Sequence, residues 1–159
     1  MAEFFNATDV IRTAVRMEQR GRELYARAAA SAVQPGVQHL FEHLAAEEER
    51  HEALFQAMAE RVGPVQLPAW STAPEYLDYL SALLDSHGLF SQEASETAGG
   101  RADDLEGAVR LALRFEKDSM LFFKEMRELV PASEREAVDA CIAEERSHAL
   151  ALRALLDES

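Results

Sequence analysis

The feature that most constrains this sequence is a Glu-x-x-His motif that occurs twice. Glu48 and His51 form the first copy, and Glu145 and His148 form the second. Residues three apart on an α-helix lie on neighbouring turns of one face, so the carboxylate and the imidazole of each pair can reach one point. Carboxylate oxygen and imidazole nitrogen together suit iron or manganese. One pair would be weak evidence, but two pairs in corresponding positions predict a metal site built from helices.

A third residue type extends the repeat. Glu18 and Glu116 each interrupt an apolar helical stripe, and they lie 98 residues apart (18 to 116), close to the 97 that separate the two histidines (51 to 148). Because an unpartnered buried carboxylate is costly, these two residues are expected to have a common purpose. The repeat predicts two helical hairpins, each giving one Glu from its first helix and Glu-x-x-His from its second, paired about a pseudo-twofold axis.

The composition favours an all-α protein. The 159 residues are 48% hydrophobic, with 7 glycines and 5 prolines, and they fit a single domain over 1–159. The apolar periodicity predicts an antiparallel four-helix bundle with helices at about 8–31, 36–61, 103–130 and 133–156. The long crossover, 63–103, is expected to carry a short helix that starts at 72–75 and ends near 84, followed by a polar loop over 91–101.

Local signals predict where these helices begin and end. Asn6 or Thr8 is expected to cap the first helix, and Pro35 is expected to open the second. The second should end at Gly63-Pro64. Capping boxes are predicted at the starts of three later helices: Thr72 with Glu75, Asp103 with Glu106, and Ser133 with Glu136.

Charge and cysteine content exclude several classes of protein. A net charge of −13, from 29 acidic and 16 basic residues, argues against nucleic acid or an anionic membrane surface as partner. Cys141 is the only cysteine in the sequence, so no internal disulfide or Cys-x-x-Cys metal site is expected, and Cys141 is interpreted as a small buried residue. Since neither a signal peptide nor a run of about 18 apolar residues is evident, a cytoplasmic location is expected.

Four carboxylates brought together in one core require cations. Without metal they would repel each other and lack solvation, whereas two divalent ions would neutralise them. Glu48 and Glu145 are placed to bridge both metals, with Glu18 and Glu116 as terminal ligands. His51 and His148 would give one nitrogen to each metal. Two bridged ions can share a two-electron change with O₂ or peroxide.

Several residues around the predicted ligands allow two interpretations each. Glu47 and Glu144 are candidates to hold the second ring nitrogen of a ligand histidine, including one across the bundle, with a solvated helix edge as the alternative position. Tyr25 is expected to be a core residue, with a hydrogen bond to a ligand or a redox role as the alternative. Gly21 and Ser119 either leave space for oxygen ligands or allow close helix packing. His39 and His43 are interpreted as partly exposed residues, with an entry site for cations as the alternative, and His87 is interpreted as a surface residue.

At this point the sequence resembles the rubrerythrin and ferritin-like superfamily. The resemblance rests on Glu18, Glu48-x-x-His51, Glu116 and Glu145-x-x-His148, and it covers the four main helices. It implies a ferritin-like bundle with two iron ions, or manganese, and commonly a homodimer. Rubrerythrin-like proteins reduce hydrogen peroxide, while related proteins oxidise Fe(II), store iron, activate O₂ or dismutate peroxide with manganese.

Two departures from typical rubrerythrin affect the functional interpretation. The sequence has no rubredoxin-like Cys₄ segment, so the reducing electrons are expected to come from a separate donor, such as a rubredoxin or a reductase. Rubrerythrins also carry a further Glu one turn after the ligand Glu of the third helix, where this sequence has Ser119. The resulting set of four Glu and two His is closer to that of bacterioferritin.

The preferred interpretation is a di-iron oxidoreductase that reduces hydrogen peroxide or O₂. Within the same fold, the alternatives are a ferroxidase or iron-storage protein and a di-manganese catalase-like protein. A non-catalytic helical module that binds a protein partner is the remaining alternative. It leaves six converging polar groups in a core unexplained.

Overall fold

The computed structural model describes residue 4, residues 6–87 and residues 105–158. Within these residues, four long α-helices form the bundle, and a shorter one lies in the described part of the crossover. The helices are α1 (Ala7–Ser31), α2 (Pro35–Val62), α3 (Pro74–Asp85), α4 (Leu105–Leu129) and α5 (Arg135–Asp157). Short 3₁₀ turns precede α3 and α5, at Ala69–Thr72 and Ala132–Glu134. The predicted loop at 91–101 and the capping residue Asp103 lie outside the described residues.

The ends of the first hairpin follow the local sequence signals. Asn6 and Asp9 form a capping box at the start of α1, in which each side chain accepts a hydrogen bond from the other residue's backbone N–H. Pro35 occupies the first turn of α2, and Gly63 ends that helix with a φ of 64°. Because a positive φ is strained for residues with a side chain, Gly63 allows the chain to turn sharply here.

Two of the predicted capping boxes are wrong. Neither α3 nor α5 has a side-chain cap, since 3₁₀ turns lead into both helices. The hydroxyl of Thr72 donates instead to the carbonyl of Ala69 within the first of these turns. At the second turn, Glu134 accepts two hydrogen bonds from Arg61 at 2.6 and 2.8 Å, which ties the end of α2 to the start of α5.

The four long helices pack as two hairpins, α1 with α2 and α4 with α5, and the hairpins meet along α1 and α4. The hydroxyl of Thr8 donates to the carbonyl of Gly63, so α1 begins beside the end of α2 and the two helices are antiparallel. The helix α3 packs on α4, where Tyr76 donates a 2.8 Å hydrogen bond to Glu125. The predicted antiparallel four-helix bundle is confirmed.

The buried apolar residues divide into two clusters at opposite ends of the bundle. The first includes Ile11 of α1, Phe55 of α2 and Phe123 of α4. The second includes Tyr25 of α1 and Phe41 of α2. Along each long helix, the residues of one cluster are separated from those of the other by a short stretch that carries buried polar side chains. The bundle therefore has a polar layer between two apolar ends, and none of its described helices is long and apolar enough to span a membrane.

Candidate metal centre

Six acidic and imidazole side chains occupy the polar layer. Each long helix contributes at its midpoint: α1 and α4 give one Glu each, and α2 and α5 give a Glu and the His one turn later. Five of the six are 0% exposed and His148 is 5% exposed. Such burial of charged groups is rare unless they are paired or bind metal. The six residues are Glu18, Glu48, His51, Glu116, Glu145 and His148.

These side chains form two groups of four that share two members. The first group is Glu18, Glu48, His51 and Glu145, and the second is Glu48, Glu116, Glu145 and His148. Within each group, one potential ligand atom per residue lies within 4.8 Å of the others. Glu48 and Glu145 belong to both groups, which is the arrangement required of carboxylates that bridge two ions.

Each histidine directs Nδ1 toward the carboxylates. His51 Nδ1 lies 2.8 Å from Glu145 Oε1 and 3.5 Å from Glu18 Oε2. His148 Nδ1 lies 3.4 Å from Glu48 Oε1 and 3.5 Å from Glu116 Oε1. Two atoms that bind one ion, each at about 2.1 Å, can lie no more than about 4.2 Å apart. The separations therefore fit ligand atoms arranged around an ion.

The hydrogen-bonding state of these atoms provides a direct test of whether they fit metal ions. Most of the inward-facing oxygen and nitrogen atoms are buried, and apart from the close contacts within the cluster itself, no group among the described residues forms a hydrogen bond to them. Buried polar atoms are normally satisfied, so lone pairs left unused in a core point to a cation. The atoms are both carboxylate oxygens of Glu18, Glu48 and Glu145, Oε2 of Glu116, and Nδ1 of His51 and His148.

The electrostatics of the six side chains also indicate a site for cations. Burial, with the negative charge of Glu116 adding to it, raises the pKa of Glu18 to about 8. Burial and the neighbouring carboxylates also raise the pKa values of Glu48 and Glu145 well above their usual range. For His148, burial acts to lower the pKa, but Glu116 and Glu48 outweigh it and raise the pKa to about 9. The cluster thus attracts positive charge, which bound cations would supply.

The second ring nitrogen of His51 is held from the opposite hairpin. His51 Nε2 lies 2.7 Å from Glu144 Oε2, so the predicted contact across the bundle is present for Glu144. Arg50 donates hydrogen bonds to both Glu144 and Glu47, and its Nη2 lies 3.5 Å from His51 Nε2. Glu47 is partly exposed and its contact is with Arg50, which matches the solvated-edge interpretation more closely.

The hydroxyl of Tyr25 donates a hydrogen bond to Oε1 of Glu116. Tyr25 is fully buried, and its ring stacks on Phe41 and meets Phe115 edge-on. Burial, followed by the charge of Glu116, raises the pKa of this phenol well above its ordinary value, so the hydroxyl remains a proton-bearing donor. Tyr25 is therefore a core residue that also holds one of the predicted ligands.

The two small residues one turn beyond the predicted terminal ligands are closely packed. A Cβ atom added at Gly21 would lie 2.4 Å from the ring of Phe115, so the ring occupies the space that the absent side chain leaves. Ser119 is 0% exposed, and its Oγ lies 3.2 Å from His87 Nε2. At Gly21 the packing interpretation accounts for the small residue.

The interpretation of His87 as a surface residue is wrong. His87 follows α3 directly, is 0% exposed, and packs edge-on against Phe115. Sequence reasoning missed it because no acidic residue lies near it at ligand spacing and its partner is 32 residues away.

His39 and His43 are exposed, and Cys141 is buried, as expected.

Comparison with known proteins places the chain in a family. The structure resembles the crystal structure of a ferritin-like diiron-carboxylate protein from Thermotoga maritima. The match covers 98% of this chain and 97% of that chain, with a TM-score of 0.74 and 20% sequence identity, so it supports the fold. A comparison with curated proteins finds no match. The sequence profile of the rubrerythrin family matches residues 9–156. With its buried Glu and His cluster, this chain belongs to the rubrerythrin family.

Proposed function

We propose that this chain is a non-haem di-iron oxidoreductase that reduces hydrogen peroxide or O₂ with electrons from a separate donor, such as a rubredoxin or a reductase. The observation that carries the proposal is the pair of ligand groups that share Glu48 and Glu145 between two apolar clusters. Membership of the rubrerythrin family supports oxidoreductase chemistry.

The ligand roles follow from the two groups. Glu48 and Glu145 would be held in common by two ions, because each lies in both groups. Glu18 and His51 would complete the ligands on one side, and Glu116 and His148 those on the other. Oxygen and imidazole ligands of this kind accept either iron or manganese, so the identity of the metal is part of the proposal.

Two iron ions bound here as Fe(II) would supply the two electrons that, with two protons from solvent, convert one hydrogen peroxide molecule to two water molecules. The residues of the chain supply the surroundings. The carboxylates balance the charge of the ions, and the apolar clusters on either side keep bulk water from the layer. The hydroxyl of Tyr25 fixes the orientation of Glu116, and Glu144 does the same for His51.

Ferroxidase activity, with or without iron storage, is the second candidate. It is favoured by the contact at Ser119, where a hydroxyl bonded to an imidazole replaces a further carboxylate. The set of four Glu and two His that remains resembles the one in bacterioferritin.

Anaerobic loading with Fe(II) tests both candidates. The bound iron per chain is counted, and its oxidation is followed by stopped-flow absorbance after mixing with H₂O₂ or O₂ separately. The proposal predicts two irons per chain and much faster oxidation by peroxide. Faster oxidation by O₂, with iron uptake continuing beyond two per chain, would favour the ferroxidase. If Fe(II) does not bind stoichiometrically, the same titration with Mn(II) decides whether a metal is bound at all.

A further inference from the structure

The buried pair of His87 and Ser119 has no part in the ligand set described above. Ser119 lies one turn after Glu116 on α4, and His87 reaches it from the end of α3. Neither residue belongs to the two ligand groups. A fully buried histidine loses its hydration, which costs free energy. The burial of His87 against Ser119 therefore calls for an explanation.

Helix geometry places Ser119 between His87 and the metal centre. At about 100° per residue, Ser119 is displaced by about 60° around α4 from Glu116, and Phe115 by about 100° in the same direction. The imidazole of His87 contacts both Phe115 and Ser119, so it approaches α4 from this side. Ser119 thus has Glu116 on one flank and His87 on the other.

The imidazole is held firmly in this position. Its ring centroid lies 5.5 Å from that of Phe115, at an interplanar angle of 75°. Phe115 is itself confined, because its ring fills the space beside Gly21. The guanidinium of Arg114 donates to the carbonyl of Ser86, which anchors the residue just before His87 to α4. These contacts fix the direction from which Nε2 meets the hydroxyl.

The charge state of His87 determines what it can offer. Burial, followed by the positive charges of Arg114 and Arg20, lowers the pKa of His87 to about 4. At neutral pH the ring is therefore neutral and carries a single N–H. If Nε2 bears that proton, it donates to Ser119 Oγ, and the hydroxyl keeps its own hydrogen for another acceptor.

We propose that His87 is a positioning residue, which donates from Nε2 to Ser119 so that the Ser119 hydroxyl donates to an oxygen- or nitrogen-containing ligand bound beside Glu116. This inference rests on the proposed function, because it assumes a metal centre that takes such a ligand. It assigns the crossover a direct role in ligand binding, in addition to linking the two hairpins.

Azide binding to the oxidised, iron-loaded protein tests the role of the hydroxyl. Azide is an anion that accepts hydrogen bonds, and its binding is followed by visible absorbance. Ser119→Ala and His87→Phe are each expected to weaken azide binding roughly ten-fold, as for a lost hydrogen bond to a charged group. His87→Gln should retain most of the affinity, because its amide can also donate. The double variant should be no weaker than either single variant, since the two residues act together.

A matched control separates a specific loss of azide affinity from the general effect of removing a buried hydroxyl group. Ser71 is 0% exposed, and its hydroxyl donates to the carbonyl of Pro68, away from the ligand groups. Ser71→Ala should leave azide affinity unchanged. Unchanged affinity in both Ser119→Ala and His87→Phe, with melting temperatures lowered, would mean that the pair only fastens α3 to α4, and the proposal would be overturned.

Nitrogen-15 NMR of histidine-labelled, Zn(II)-loaded protein tests the tautomer independently. The proposal requires a proton on Nε2 of His87. A proton on Nδ1 alone would overturn it, because Ser119 would then donate to His87 and have no hydrogen left for a ligand. This outcome is distinct from failure of the proposed function. In that case the wild-type protein would bind no iron, or its bound Fe(II) would not be oxidised by peroxide.

Discussion

The imidazole of His51, on one hairpin, is held by the carboxylate of Glu144 on the other, with 2.7 Å between Nε2 and Oε2. The contact leaves Nδ1 of the same ring facing Glu145 and Glu18. A hydrogen bond to the outer nitrogen keeps the proton there, so the inner nitrogen presents a lone pair.

Removing this support should weaken metal binding without dismantling the fold. Glu144→Ala is expected to lower the affinity for Fe(II) or Mn(II) about 10- to 100-fold, since the orientation and tautomer of His51 are no longer fixed. Glu47→Ala is the control, because Glu47 also accepts a hydrogen bond from Arg50 and is exposed to a similar degree, whereas Glu144 is the carboxylate that lies 2.7 Å from His51 Nε2. Isothermal titration calorimetry of both variants measures the effect. Equal losses in the two would show that the Arg50 ion pairs matter rather than the contact with His51.

Neutralising one shared carboxylate should affect the metal-free and metal-loaded protein in opposite directions. Glu48→Gln is expected to stabilise the metal-free protein by about 1–3 kcal/mol, because the wild type must either keep a buried negative charge here or take up a proton on a carboxyl group whose pKa is raised. In the wild type, Fe(II) or Mn(II) should raise the melting temperature, and Glu48→Gln should abolish most of that rise. Glu49→Gln, at the exposed neighbouring position, should change neither value. A variant that is less stable without metal would argue against repulsion within the cluster.

The contact between Gly21 and Phe115 predicts strong coupling between the two positions. Alanine is favoured over glycine in a helix by up to about 1 kcal/mol. At Gly21, however, the added Cβ would lie 2.4 Å from the ring, and we expect a net loss of about 1–3 kcal/mol in the free energy of unfolding. Combining Gly21→Ala with Phe115→Leu should cost less than the sum of the two. Gly36→Ala, where nothing lies within 4 Å, should be neutral or stabilising in the same urea titrations.

His87 should make the protein sensitive to mild acid. Its pKa is lowered to about 4 in the folded chain, against about 6.5 when unfolded. Between these values the unfolded chain binds more protons, so stability rises with pH and is lost as the pH falls below about 6.5. His87→Phe should remove up to about 3 kcal/mol of this dependence between pH 6.5 and 4. Urea unfolding at several pH values measures the difference from wild type, and a difference that does not vary with pH would contradict the assignment. His39→Phe, at an exposed position, is the control.

Repetition made most of the fold and the six clustered residues predictable. Glu18 and Glu116 stand out because each interrupts an apolar stripe, and the Glu-x-x-His pairs identify the facing helices. The turn signals Pro35 and Gly63 have local causes, and both are where the sequence predicts. The spacing of residues along a helix and the backbone preferences of Pro and Gly depend only on nearby residues, so they can be predicted from a single sequence.

Contacts between residues far apart in the sequence were harder to predict. Ser133 and Thr72 have the residue types of helix caps, but 3₁₀ turns stabilise those helix starts, and Arg61 from α2 holds Glu134. His87 gave no local indication of burial, since the space it fills is made by Phe115 and Ser119 on another helix. A prediction of such contacts requires the packing of α3 on α4, which no short motif encodes.

The two halves of the centre differ in their outer contacts. Tyr25, seven residues after Glu18, donates to Glu116, whereas the corresponding residue seven after Glu116 is Phe123, which has no hydroxyl to offer Glu18. The side chain of His51 is fully enclosed and that of His148 is 6% exposed. Two ions bound in such unequal halves would exchange with solution at different rates, so a single chain could retain one element on one side while the other side is refilled. The repeat in the sequence therefore builds two halves that would present unlike surroundings to any ions bound there.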